Sequence, residues 1–106
     1  MPEPSNFIQG DNFVIGGGIL SGEDNSTIRR TVALGSDALK FGSGKLFDNT
    51  VIGYQAIQYI SESRGNTAIG ESAGTNSSLY LTSSNNTFIG KDTGYTSDVT
   101  NATAIG

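Results

Sequence analysis

Six times along this chain a short, largely apolar stretch closes on an aliphatic residue and a glycine: NFVIG at Gly16, TVALG at Gly35, NTVIG at Gly53, NTAIG at Gly70, NTFIG at Gly90 and ATAIG at Gly106. The glycines stand 19, 18, 17, 20 and 16 residues apart. Four copies run on into SDAL, YQAI, ESAG and KDTG, two polar residues followed by a small one and then Leu, Ile or Gly. A motif that returns at a nearly fixed interval marks a repeat architecture, in which each unit buries an apolar face against its neighbours.

Side chains alternate across a strand with a period of two, and each pentad is predicted to be a strand. One residue before the glycine stand Ile15, Leu34, Ile52, Ile69, Ile89 and Ile105, and three before it Phe13, Val32, Thr50, Thr67, Thr87 and Thr103. This face, apolar or Thr, is expected to line the coil core. Two before the glycine, pointing the other way, stand Val14, Ala33, Val51, Ala68, Phe88 and Ala104, apolar without exception. Strands that are apolar on both faces are strands covered on both faces. Between the pentads the only further apolar material is LKF, LF, IQYI, LYL, Tyr95 and Val99. The second set is therefore expected to be covered by another copy of the same chain.

Equivalent residues meet equivalent surroundings when coils stack in parallel, whereas alternate strands of a meander run in reverse. The expected fold is all-β, a parallel β-solenoid or β-roll of about six coils of 16–20 residues over residues 12–106, continuing beyond Gly106. Residues 1–11 form an irregular N-terminal segment or a first partial coil, with NFIQG ending at Gly10 as a partial copy. A small β-sandwich of six similar strands is the alternative. The repeated glycine fits a bend with positive φ or a close backbone approach. Asn12, Asn49, Asn66 and Asn86, four before the glycine, fit a left-handed turn and stacked side-chain hydrogen bonds from coil to coil. FGSGK, SESRG, TNSS and TSSNN, in the variable halves, read as turns and loops.

Composition agrees and narrows the chemistry. Only 35% of the 106 residues are apolar while 15 are Gly, a balance that favours turns and short strands over a helical bundle. The chain has no Cys, His or Trp, so disulfides, thiol chemistry and histidine catalysis are excluded within it. A net charge of −4 with six scattered basic residues argues against nucleic-acid binding. No apolar run approaches the length of a membrane span, and membrane insertion is not expected.

NTVIGYQAI, NTAIGESAG and NTFIGKDTG resemble the repeats of bacteriophage tail fibre and tail spike stalks. In a longer-spaced version they are similar to the SVAIG-type repeats in the head domains of trimeric autotransporter adhesins. The resemblance covers about residues 12 to 106. It implies a homotrimer of β-rolls or β-helices around one axis, serving as a rigid rod of the virion tail that contributes to host attachment. The implied partners are adjoining fibre or baseplate segments and a host cell-surface polysaccharide or protein. The alternative is an adhesin head on a bacterial cell surface. The spacing departs from the shorter adhesin period and favours the phage branch.

Other chemistries fit the sequence less well. Ten carboxylates are present, and Asp37 and Asp92 share the position two after the glycine, but Gln55 and Ser72 replace them in two coils, which reads as a solvated ridge rather than a glycosidase pair. EDNS at Glu23 to Ser26 is a loose acidic cluster without the EF-hand spacing, so neither a metal nor another cofactor is expected. Arg29 and Arg30 read as a solvated bend or an interchain contact. Tyr54, Tyr59, Tyr80 and Tyr95 are the aromatic candidates for stacking on sugar rings. A Thr column also raises ice binding, which needs the neighbouring Ile column to be exposed as well. The chain is expected to be structural and adhesive, not an enzyme.

Overall fold

The computed structural model describes residues 6–7, 11–19, 26–42, 44–75, 84–94 and 100–106. Its strands are β1 (Asn6–Phe7), β2 (Phe13–Ile15), β3 (Ser26–Arg29), β4 (Val32–Leu34), β5 (Gly44–Phe47), β6 (Thr50–Ile52), β7 (Thr67–Ile69), β8 (Thr87–Ile89) and β9 (Thr103–Ile105). The long sheet runs β1-β2-β4-β6-β7-β8-β9, and β3 and β5 form a second, two-stranded sheet. From β2 to β9 every pairing in the long sheet is parallel, with Val14, Ala33, Val51, Ala68, Phe88 and Ala104 in one register column. The protein is an all-β solenoid of about four turns. All six pentads are strands of one sheet, and β9 joins β8 in parallel as the repeat requires. Asn6–Phe7 pairs antiparallel to β2 and so is not a further parallel rung.

The two faces of the strands are exchanged relative to the sequence reading. Val14, Ala33, Val51, Ala68 and Phe88 belong to the chain's own core, with Ala104 packed against it. Ile15, Ile69, Ile89 and Ile105 lie on the outside, 43%, 38%, 37% and 72% exposed, and Leu34 and Ile52 are half-buried beside them. The physical reason lies in the corner after each glycine and in the second sheet. Ala38, Leu39, Ala56, Ile57, Leu46 and Ile60 are all fully buried and fill the coil from the other sides. A coil this narrow leaves room opposite them for mostly small side chains, so the Ala-rich column goes in and the Ile column goes out.

Phe88 is the large exception in the inner column, and the core compensates locally. Where the two preceding corners carry Leu39 and Ile57, the next carries Gly74, whose added Cβ would lie 2.8 Å from Ile57 Cγ1 and 3.0 Å from the Phe88 ring. The missing side chain is the space the ring occupies.

Two columns hold the corners. The glycines stack directly: Gly16 and Gly35 have φ of 137° and 123°, and a Cβ on Gly35 would come within 2.7 Å of the Gly53 carbonyl oxygen. Only glycine fits such a backbone and such an approach. On the opposite side of the strands Asn12, Asn49, Asn66 and Asn86 are buried. Their side-chain oxygens accept the N–H of Thr31, Asn66, Asn86 and Ala102 one turn on, at 2.9–3.0 Å. The coil-to-coil bonding expected of these residues is present, but the left-handed turn falls one position earlier. Asp11, Arg30, Asp48, Asn85 and Asn101 have φ between 49° and 67°.

Candidate functional site

The feature that stands out on this solenoid is the outer face of the long sheet. Parallel register aligns Ile15, Leu34, Ile52, Ile69, Ile89 and Ile105 in one column and Phe13, Val32, Thr50, Thr67, Thr87 and Thr103 in the next. Adjacent strands lie about 4.8 Å apart, so six of them form a strip about 24 Å tall. None of its twelve outward residues is charged, in a chain with 16 charged side chains. A contiguous apolar strip without charge on an otherwise polar surface marks a contact site. It offers no acid, base or nucleophile beyond threonine hydroxyls. Its chemistry is confined to apolar contact and threonine hydrogen bonding.

No family model matches this chain, and no curated protein or solved structure matches it. What the chain does has to follow from its surfaces.

The other candidate residues are dispersed. Asp37, Gln55, Ser72 and Asp92 occupy equivalent corners with φ of 62°, 59°, 58° and 59°, so the position two after the glycine is a left-handed turn in all four coils, a conformation that Asp adopts more readily than Gln or Ser. Asp37 and Asp92 stand three turns apart. Tyr54 is 47% exposed on the corner after Gly53. Tyr59 is half-buried and stacked on Phe41, with ring centroids 4.8 Å apart. Tyr80, Tyr95 and the acidic residues Glu23 and Asp24 lie outside the described residues.

Sequence reasoning missed the second sheet. FGSGK, read as a turn, runs into β5, which pairs with β3 in parallel and places Arg29 beside Phe47. An isolated bridge then sets Phe47 beside Arg64 on the next turn. The guanidinium carbons of Arg30 and Arg64 lie 5.9 and 5.6 Å from the Phe47 ring centre. Arg30 Nε donates to Asp48 Oδ1 at 2.5 Å, and this bond holds the Asp48 carboxyl below the usual carboxylate range and raises Arg30. Arg30 therefore sits in the bend expected of the Arg-Arg pair. A signal for this sheet is present in the sequence: TIR and KLF each hold one aliphatic residue at their centre, Ile28 and Leu46, 18 residues apart.

Proposed function

We propose that this chain is a structural module of a phage tail fibre or spike, a rigid rod of about six coils that assembles as a homotrimer and belongs to the virion attachment apparatus. The observation that carries the reading is the exposed column of Ile15, Ile69, Ile89 and Ile105 in strict parallel register. A lone solenoid would leave this column in water along its whole length. Burial of apolar surface contributes about 25 cal/mol per Å², and obligate interfaces resemble a core cut in half. A strip of this kind on every copy, parallel to the solenoid axis, suits a closed cyclic assembly. The resemblance of the repeats to tail fibre stalks favours three copies. An adhesin head of a bacterial surface protein is the runner-up, with the same physics in another place. The buried column of Val14, Ala33, Val51, Ala68, Phe88 and Ala104 has no part in the association.

Light scattering on the purified chain tests this. A mass of three copies of the 11.0 kDa chain is expected, and a stable monomer at micromolar concentration would overturn the assembly.

One observation favours a second reading. Thr50, Thr67, Thr87 and Thr103 share the outward face with the isoleucines, so the objection to a flat Thr array for ice binding falls away. Thermal hysteresis by a monomer would select this reading; a trimer without hysteresis would reject it.

A further inference from the structure

We infer that the second sheet carries a binding site for an acidic glycan, a saccharide chain bearing carboxylate or sulfate groups. Although the chain is net acidic, five of its six basic residues, Arg29, Arg30, Lys40, Lys45 and Arg64, fall between positions 29 and 64. The topology gathers four of them. Arg29, Phe47 and Arg64 align across three turns, with Lys45 on the same outward face of β5 and Arg30 at the adjoining corner. All four basic side chains are exposed, whereas Leu46 and Ser63 between them point inward and are buried.

Their division of labour follows from their contacts. Arg30 is taken up by Asp48, with Nε and a terminal nitrogen on its two carboxylate oxygens. Arg29 and Arg64 have no ion pair at contact distance among the described residues, although Arg64 adds to the positive field at Asp48. The Phe47 ring lies against the guanidinium of Arg64 and restrains it. A restrained, planar guanidinium is suited to bidentate contact with a carboxylate or sulfate. Arg29 and Arg64 stand two rungs apart, about 10 Å, so they match anionic groups spaced along a chain rather than one small anion.

The surrounding acids decide the class of polyanion. Asp48 and Glu62 lie within the patch, Glu62 with a carboxylate oxygen on the Lys45 N–H at 3.0 Å. They would repel a nucleic acid, which carries a charge on every nucleotide. A glycan has neutral hydroxyls between its charges, and these can donate to the two carboxylates. The sheet is separate from the long sheet that carries the Ile column, so association through that column need not cover it. The inference deepens the fibre reading by naming a receptor class. Its test is separable, because glycan binding and oligomeric mass are read independently.

Calorimetric titration of the full chain with polygalacturonate and with a sulfated oligosaccharide, at low salt, tests the site. Binding to at least one is expected, weakened by added salt and at least about tenfold weaker in Arg29→Gln/Arg64→Gln. Phe47→Leu, which keeps apolar packing but removes the π face, should weaken binding with an unchanged melting temperature. No binding to either glycan would overturn the inference, as would binding that survives the double substitution. Equal binding of a single-stranded oligonucleotide would overturn the glycan assignment.

Discussion

Asn66 accepts the backbone N–H of Asn86 through its side-chain oxygen at 3.0 Å, one turn further along the solenoid. Both residues are fully buried, so neither group has water to replace the other. Asn66→Ala removes the acceptor and leaves a small cavity. A buried donor without an acceptor costs about 1–3 kcal/mol. Chemical denaturation should show a loss in that range, and Ser36→Ala, at an exposed position outside the ladder, should change little. Equal losses at the two sites would remove the ladder from the stability argument.

The inner and outer columns give opposite phenotypes. Phe88→Ala empties the core and should destabilise the fold by about 3–5 kcal/mol. Ile69→Asp/Ile89→Asp should instead break association, giving a lower mass in light scattering while the β-type circular dichroism persists. If Phe88 variants changed the mass and Ile89 variants the fold, the faces would be the reverse of those described.

Glycines differ sharply in tolerance. Gly53 has φ of 136°, and a Cβ there would lie 2.7 Å from the Gly70 carbonyl carbon; around Gly17 an added Cβ meets nothing within 4 Å. Gly53→Ala should cost about 1–3 kcal/mol from backbone strain alone, with the contact adding to it. Gly17→Ala should leave the melting temperature unchanged.

The Arg30–Asp48 bond predicts a pH dependence. Asp48 has a depressed carboxyl in the folded protein, through its hydrogen bond to Arg30. A depressed acid contributes stability above its unfolded value, about 3.9 for Asp, and loses it as pH falls through the folded value. Arg30→Gln should therefore melt below the wild type at neutral pH, and the two curves should converge as pH falls through the depressed titration of Asp48. Both side chains are exposed, so the difference should be small and reduced by salt.

The solenoid and its parallel order were legible because the repeat is written in residues that sit where backbone geometry is most restrictive. The glycine of each pentad, the buried Asn and the alternation of the triplets all follow from that. The identity of the interior was not legible from the pentads alone. Ala68 and Ile69 are both apolar, and which one faces inward depends on Leu46, Ile57 and Ile60, whose places are fixed only once the chain has closed a turn. The left-handed column was placed one residue late because Asn49 reads as a turn former. Asp48 takes the turn with φ of 61° and frees Asn49 for the ladder. The second sheet was not legible because β3 and β5 share no motif and β5 opens on a glycine, Gly44, which weakens a strand pattern.

The glycine column has a consequence for how such a chain can change. Successive glycines meet backbone to backbone from Gly16 to Gly106, although the intervals between them vary from 16 to 20 residues. Phase is thus reset at each contact instead of being counted out along the chain. A lengthened or shortened loop between two glycines does not accumulate as an error in the turns that follow. The exterior can be rewritten, residue by residue and even in length, while the axis keeps its rhythm.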